Sequence, residues 1–196
     1  MSIDETIVSF DGPFSWAKDE KCPNLFRQNV ANKAGLYLWT VPQSEGELIY
    51  YVGITERSFK KRMEEHFKEH CAGAYHLNEP EALRNGTRKC LWPGFYDRKD
   101  KKGIADIVEI YGAFANIIVD LLHTYRFYLA PLVLETRRLE RIEEALMKHL
   151  YNQSGKVGSF QEEDILHKPR TDSEIPFNVR FQEVPDLIGI PQIMEA

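Results

Sequence analysis

Two runs of aromatic and aliphatic residues lie close together in the first third of the chain, GLYLWTV at 35–41 and LIYYVGI at 48–54. Aromatic and β-branched residues favour strands, and the PQSEGE between the runs has the polar and glycine composition of a turn. The pattern therefore predicts a β-hairpin.

The hydrophobic period changes after the hairpin. Three apolar residues recur every four positions, as on one face of a helix: Phe59, Met63 and Phe67. Either Thr55 or Ser58 can cap this helix, which we expect over about 57–70. Arg62 and His66 lie at the edge of its apolar stripe, one turn apart.

Two longer helices and a strand are expected further along the chain. The segment 104–123 is apolar over several turns and almost uncharged, which is typical of a core helix. YRFYLAPLV then predicts a strand that stops near Pro131, followed by a helix over about 135–151. The tail after Gly155 has little periodicity, so we expect an irregular wrap with one edge strand near 177–181.

One carboxylate of the last helix lies where a charge is unexpected. At 100° per residue, Glu143 falls inside the apolar arc, which is formed by Leu139, Ile142, Leu146, Met147 and Leu150. Glu144 lies about 100° away on the polar side, with Lys148 as a surface partner. A carboxylate on a core-facing stripe needs a cation or strong donors. Glu143 is thus either a cation ligand or a rim residue bonded to backbone or to a neighbouring arginine: Arg137, Arg138 or Arg141.

The formal net charge of −5 is unevenly distributed along the 196 residues. Residues 159–196 carry 3 basic and 8 acidic side chains, whereas residues 1–158 carry 22 of each. Within the neutral part, residues 84–102 are basic and contain interleaved aromatic residues, a composition that suits nucleic-acid backbone and bases. A solvated loop around a packed tryptophan would give the same pattern. The candidates for nucleic-acid contact are Arg88, Lys89, Trp92, Arg98 and Lys99, with Lys60 and Lys61 on the preceding helix.

The rest of the composition predicts a single decorated cytoplasmic domain. No window of about 18 uncharged apolar residues exists, and the first ten residues lack the basic and apolar stretches of a signal peptide. Cys22, Cys71 and Cys90 are an odd number without framework spacing, which is typical of reduced thiols. We expect no membrane segment, no disulfide and no organic cofactor.

Several of these features, taken in chain order, resemble the GIY-YIG nuclease family: Gly35-Leu36-Tyr37, Tyr51-Val52-Gly53, Arg62, His66, Glu143 and Asn152. YVGITERSFKKRMEEHF is similar to the family's second strand and first helix, and IEEALMKHL to its glutamate helix, in a register that selects Glu143. The triads read GLY and YVG here, and Asn152 lacks the proline that often precedes it in the family.

The resemblance implies a mixed α/β (α+β) fold in which a three-stranded antiparallel sheet is flanked by helices. It covers roughly residues 33–153. Residues 1–32 would then be an N-terminal extension packed on this core, 71–103 a basic insertion for substrate binding, and 154–196 an acidic C-terminal extension.

The same resemblance implies a metal-dependent endonuclease with a single-metal site. Glu143 would hold one Mg²⁺ or Mn²⁺ and Arg62 would contact the scissile phosphate. Tyr51, with Tyr37 beside it, would act as the base, and His66 would pass the proton on. DNA is the expected substrate, although the residues do not distinguish it from RNA, and a homodimer would cut both strands.

A tyrosine base raises an electrostatic requirement. A phenol with an ordinary pKa near 10 needs a nearby cation to act at neutral pH. The candidates on this chain are Arg62, Lys60 and Lys61, together with the metal.

Two other interpretations are compatible with the residues. A structural zinc could bind among His66, His70, Cys71, His76 and Cys90, although their spacing matches no established zinc motif. Alternatively, a non-catalytic module on the same fold would bind nucleic acid or a protein through residues 84–102.

Overall fold

The computed structural model describes residues 4–17, 22–95, 103–161, 168–182 and 186–196. The strands in these ranges are β1 (Glu5–Val8), β2 (Asp11–Phe14), β3 (Gly35–Gln43), β4 (Gly46–Thr55), β5 (Leu77–Asn78), β6 (Cys90–Trp92), β7 (Arg126–Pro131), β8 (Asn178–Phe181), β9 (Leu187–Ile188) and β10 (Ile193–Glu195). The helices are α1 (Phe59–Cys71), α2 (Pro80–Arg84), α3 (Ile104–Thr124), α4 (Thr136–Tyr151) and α5 (Lys156–Ser159). The expected mixed α/β class is confirmed, and the three long helices begin and end within two residues of their predicted limits.

A five-stranded sheet in the described part of the chain has the order β2-β7-β3-β4-β9. The predicted hairpin is its β3–β4 pair, and β7 lies antiparallel on the other side of β3. β2 is antiparallel to β7, whereas β9 is parallel to β4. The three-stranded sheet implied by the resemblance is therefore the middle of a wider sheet, because each terminal extension adds one edge strand.

The two faces of this sheet bury different side chains, as the alternation along a strand requires. Tyr37 and Trp39 lie in the cluster that also contains the apolar residues of α1 and α3. Leu36 and Leu38 lie in the cluster on the other face, with the apolar residues of α4. The sheet therefore separates α1 from α4, and a site that uses both helices has to form at an end of the sheet.

The terminal extensions also build a second sheet, with the order β1-β8-β10. β1 is parallel to β8, and β10 is antiparallel to it. The strand expected near 177–181 is thus present as β8, but it is a central strand and not an edge strand. The irregular wrap expected after Gly155 is wrong as well, because the described part of this tail forms α5 and three strands.

α3 is less buried than its composition suggests. Ile107, Ile118 and Leu121 pack against the core, but four large apolar side chains beside this buried stripe are exposed: Ile104, Val108, Tyr111 and Val119. The prediction of a core helix is therefore correct for one side only. Among the described residues, no helix has both the length and the apolar character needed to cross a membrane.

Candidate active site

Gly53 and Tyr37 are direct partners on β4 and β3. A Cβ added to Gly53 would lie 2.4 Å from both the Cζ and the hydroxyl oxygen of Tyr37, and Tyr37 is fully buried. The Tyr37 phenol therefore lies across the backbone of Gly53, in space that any other side chain would fill. Gly53 lies within the extended strand β4, so the close approach of this phenol, and not a backbone turn, accounts for a glycine at this position.

A bulge in β4 orients the two adjacent tyrosines. Tyr51 pairs with Trp39 and Ile49 pairs with Thr40, so the ladder skips Tyr50. Such a bulge interrupts the usual alternation of side chains between the two faces of the sheet, so that two successive side chains can lie on the same face. Both tyrosines consequently contact the Trp39 ring, with centroid distances of 6.4 Å for Tyr50 and 6.0 Å for Tyr51. The Tyr51 ring also lies 6.2 Å from that of Tyr37, which brings the two predicted phenols together.

α1 brings the predicted arginine and histidine to these phenols. Its N-terminus is capped by Ser58, whose side chain accepts a hydrogen bond from the Lys61 backbone N–H. Arg62 donates from Nε to the Tyr37 hydroxyl over 3.4 Å, and His66 Nε2 lies 2.9 Å from the same hydroxyl. Four of the residues expected at the site, Tyr37, Tyr51, Arg62 and His66, therefore form one contiguous cluster.

The expected lowering of the phenol pKa is absent in these surroundings. Burial raises the pKa of Tyr37 well above its usual value, the neighbouring Tyr51 raises it further, and Arg62 opposes the shift. The pKa of Tyr51 is also raised, by burial and then by the charge of Glu143. Lys60 and Lys61 are exposed to solvent on α1. Desolvation therefore exceeds the field of the Arg62 guanidinium, and the lowering expected from a bound metal remains a prediction.

His66 is held neutral between two hydroxyls. Its Nε2 faces Tyr37, and its Nδ1 lies 3.1 Å from the hydroxyl of Tyr75. Burial lowers the pKa of His66 to about 3, with a further lowering by Arg62 and then by His70. A neutral imidazole has one donor and one acceptor nitrogen, so both nitrogens are used by the two tyrosines.

Glu143 lies half-buried on α4 and is electrostatically coupled to the tyrosine cluster. Burial raises its pKa to about 7, and Glu140 one turn earlier raises it further. The Ile54 backbone N–H, adjacent to Gly53, hydrogen-bonds the carboxylate and opposes this shift, as do Arg62 and Lys168. Ile54 and Gly53 therefore connect the carboxylate to the phenols around the end of β4.

Of the two kinds of rim partner expected for this carboxylate, the described residues supply a backbone N–H but no paired arginine. Among the described residues, Glu143 makes no ion pair, whereas Arg137 pairs with Glu174, Arg138 with Asp4, and Arg141 donates to backbone carbonyls. The neighbouring arginines are thus bound elsewhere. A desolvated carboxylate whose pKa is raised gains most from a cation, and hard ions accept one carboxylate if water and phosphate oxygens complete their shell.

Asn152 lies away from this cluster. It is the exposed residue at the C-terminal end of α4, where its backbone N–H bonds the carbonyls of Leu150 and Lys148. Nine residues of helix separate it from Glu143, which corresponds to about 13 Å along the axis. Its position is that of a helix terminus, and its catalytic role remains a prediction.

The described part of the basic segment, residues 84–95, does not present the expected aromatic and basic surface. Trp92 is 2% exposed and donates to the Gly73 carbonyl over 2.7 Å, so its ring is unavailable for stacking on a base. Arg88 donates to the carbonyls of Phe160 and Tyr50, and its guanidinium lies 4.1 Å from the centre of the Tyr50 ring.

Three more basic residues were expected in this segment. Lys89 is exposed and pairs with Glu79. Arg98 and Lys99 lie outside the described residues. The prediction that this insertion binds nucleic acid therefore rests on Lys89 alone among the described candidates, because the pattern could not show that Trp92 and Arg88 pack inward.

Sequence analysis did not select three residues that lie at this site: Tyr75, Glu65 and His70. Tyr75 hydrogen-bonds His66 but belongs to a loop without periodicity. Glu65 binds Arg57 through both carboxylate oxygens and lies 3.5 Å from Arg62. His70 is 3% exposed, and its Nε2 has no hydrogen-bond partner among the described residues. Only the spacing of His70, one turn after His66, gave a signal for any of them.

The zinc interpretation fails on geometry within the described residues. No group of three or more histidine, cysteine or acidic side chains there could hold a metal ion. The imidazole of His66 is bound to tyrosines, and that of His70 is packed among Trp39, Tyr75 and Tyr125.

Comparison with known proteins agrees with this geometry. The family model of the GIY-YIG catalytic domain matches residues 33–109, which include the hairpin and α1 but not the Glu143 helix. No curated protein and no solved structure gives a significant match. The matched segment contains Tyr37, Tyr51, Arg62 and His66 in one cluster on a mixed α/β fold. This match over residues 33–109 supports membership of the GIY-YIG nuclease family.

Proposed function

We propose that this protein is a metal-dependent endonuclease that hydrolyses phosphodiester bonds of nucleic acid, with DNA as the expected substrate. The observation that carries the proposal is the junction of Arg62, the paired phenols and the desolvated carboxylate of Glu143 at one end of the sheet. These groups supply what the reaction needs, namely a fixed positive clamp, polar groups that handle protons, and a ligand for a cation.

Arg62 is suited to binding the scissile phosphate. Its guanidinium is always charged and carries several donors in a fixed plane. Nε points at Tyr37, and one terminal nitrogen lies 3.5 Å from Glu65. The side chain is 29% exposed, so it has a rigid base and an open end. A phosphate oxygen can therefore reach it without displacing the bond to Tyr37.

Tyr51 is the phenol that can act on the substrate side. Tyr37 is fully buried and bonded to Arg62 and His66, whereas Tyr51 is partly exposed. The negative charge of Glu143 is among the causes that raise the pKa of both phenols. A divalent ion bound to Glu143 would neutralise that charge and polarise a phosphate oxygen. Tyr51 would then act as the base that takes a proton from the attacking water, and Arg62 would stabilise the phenolate form of Tyr51.

The partners expected from the sequence are compatible with this proposal and remain predictions. Lys60 and Lys61 extend from the exposed side of the first turn of α1, beside Arg62, and suit contact with flanking phosphates. A homodimer would allow both strands to be cut. A cytoplasmic location is compatible with these expectations.

The test is cleavage by the wild-type protein and two neighbouring variants, Glu143→Gln and Glu144→Gln. Plasmid, branched DNA and structured RNA are incubated with Mg²⁺ or Mn²⁺. We expect Glu143→Gln to lower the cleavage rate by about 100-fold or more, because the cation loses its charged ligand. Glu144→Gln removes the same charge one residue away, on the polar side of α4, and should cleave within about twofold of wild type.

Binding is measured separately, without metal and as a function of salt concentration. Glu143→Gln should retain the wild-type affinity and its salt dependence, since phosphate contacts dominate both. Wild-type protein that binds these nucleic acids and cuts none of them would refute the enzyme and leave the non-catalytic binding module as the function.

A further inference from the structure

We propose that Tyr75 is a positioning residue of this site, which fixes the tautomer and the orientation of His66 and thereby the direction of the hydrogen bonds that reach the catalytic phenols. This inference rests on the proposed function. Tyr75 lies in the insertion, outside every motif that the sequence presents.

The direction of the bonds follows from the donor at one end and the acceptor at the other. Arg62 has only donors, so its Nε–H donates to the Tyr37 oxygen. The second lone pair of that oxygen can accept from His66 Nε2–H, or the Tyr37 proton can be donated to Nε2, 2.9 Å away. An acceptor at Nδ1 selects the second arrangement, in which the single N–H of the neutral imidazole is on Nδ1. The Tyr75 oxygen, 3.1 Å from Nδ1, is that acceptor in our proposal.

The surrounding chain holds Tyr75 in place. Trp92 donates to the Gly73 carbonyl, and Gly94 packs so closely that an added Cβ would lie 2.6 Å from the Ala74 carbonyl oxygen. The Tyr75 ring also lies at right angles to His70, at a centroid distance of 5.3 Å. The packed insertion therefore fixes the backbone before Tyr75, which gives the buried Trp92 a role other than stacking on bases.

The alternative is that Tyr75 only fills space beside His66. In that case the Tyr75→Phe variant would keep the ring, the packing and the His66 tautomer. The tautomer of His66 distinguishes the two roles. If the Tyr75 hydroxyl only filled space, removing it would leave the proton on the same imidazole nitrogen.

The first experiment records ¹⁵N–¹H long-range spectra of histidine-labelled protein, with the His66 signals assigned from a His66→Ala sample. We expect the Nδ1–H tautomer in wild type and a shift towards Nε2–H in Tyr75→Phe. The matched control is Tyr111→Phe, since Tyr111 bonds a backbone carbonyl outside the site. Wild-type His66 in the Nε2–H form, or an unchanged tautomer in Tyr75→Phe, would overturn the proposal.

The second experiment measures kcat and KM on whichever nucleic acid the wild-type protein cuts. Removing a group that orients a catalytic side chain lowers activity about 10- to 100-fold, so we expect such a fall in kcat with KM within about twofold. In the His66→Ala background, Tyr75→Phe should have no further effect, since it acts through His66. Independent, multiplying losses in the double variant would contradict this.

The tautomer measurement and the cleavage measurement distinguish a failure of this proposal from a failure of the proposed function. If the wild-type protein cleaves no substrate, the endonuclease proposal fails, and the tautomer measurement still decides whether Tyr75 fixes His66. If the protein cleaves normally and the tautomer does not depend on Tyr75, only the present inference fails.

Discussion

Gly53 and Tyr37 show how a short family triad reflects packing between two strands. The glycine does not adopt a left-handed backbone angle here. Its lack of a side chain leaves the space that the Tyr37 phenol fills. Tyr37 in turn receives the bond from Arg62. A single methyl group at position 53 is therefore predicted to disturb the cluster of Tyr37, Tyr51, Arg62 and His66.

The first prediction concerns the Gly53→Ala variant. The added Cβ would lie 2.4 Å from the fully buried phenol, so either Tyr37 or β4 has to shift. We expect the free energy of unfolding to fall by about 1–3 kcal/mol, as in other overpacked cores. The rate of cleavage should fall by about 100-fold, because the phenol loses its position beside Arg62. Denaturant unfolding and plasmid nicking measure the two effects.

Gly112→Ala is the matched control. A Cβ at this helical position would meet nothing within 4 Å. Since alanine is the better helix former, this variant should gain up to about 1 kcal/mol and keep its activity. Equal behaviour of the two variants would show that the Tyr37 phenol does not occupy the space above Gly53.

Sequence analysis at this scale located residues whose placement is local. The hairpin and the four-residue period of α1 placed Tyr37 and Arg62, which the family resemblance then selected as site residues, and the apolar arc of α4 singled out Glu143. Tyr75 was missed because its contact with His66 depends on a loop path set by Trp92 and Gly94. No periodic pattern encodes such a path.

At the scale of elements, α1 carries two buried histidines one turn apart. His66 is bonded to two tyrosines, whereas the Nε2 of His70 has no hydrogen-bond partner among the described residues. Burial lowers the pKa of His70 to about 4, below the usual 6.5. The buried side of this helix therefore depends on both imidazoles remaining neutral.

The second prediction is a loss of stability in acid that originates in α1. Between about pH 6.5 and 4 the unfolded chain binds a proton at each histidine that the folded protein excludes, so stability falls as the pH falls. At pH 5 this amounts to about 2 kcal/mol for each group. The His70→Phe variant should therefore lose about 2 kcal/mol less than wild type between pH 7.5 and pH 5, measured by urea unfolding.

The difference between variants isolates the contribution of His70. Glu143 contributes with the opposite sign, because its raised pKa of about 7 means that protonation below that pH stabilises the fold. It is present in both proteins and cancels. His123→Gln, at an exposed position of α3, should retain the acid sensitivity of wild type. The same sensitivity in His70→Phe would mean that His70 is hydrated in the folded protein.

The elements themselves were largely predictable, and their burial was not. α1, α3 and α4 appear where the hydrophobic periods indicated them. The exposure of Ile104 and Val108 on α3 could not be inferred, since an apolar helix has the same composition whether one side or both are covered. The bulge at Tyr50 was equally hidden, because it is a property of the pairing between two strands.

At the scale of the whole molecule, the segments outside the family match complete the fold. β2 and β9 extend the main sheet at its two edges, and β1, β8 and β10 form the second sheet. Phe177, Val179 and Phe181 from the C-terminal extension are buried with Ile142 and Leu146 of α4. The sequence did not reveal this, because short strands separated by prolines acquire their partners only in the folded chain.

The last prediction tests whether the second sheet stabilises α4, the helix that carries Glu143. Phe177 is 4% exposed and lies under the guanidinium groups of Arg138 and Arg141, 4.0 and 4.7 Å from its ring centre. Phe177→Ala should lower the free energy of unfolding by about 3–5 kcal/mol and the melting temperature by about 10 °C. Ile175→Ala, two residues earlier and 83% exposed, should change stability by less than about 0.5 kcal/mol.

Thermal melts and nicking assays of both variants show whether cleavage depends on this packing. We expect Phe177→Ala to lose cleavage at a lower temperature than either other protein, in parallel with its unfolding. Cleavage that outlasts the melting of Phe177→Ala would mean that the site holds together without the C-terminal extension.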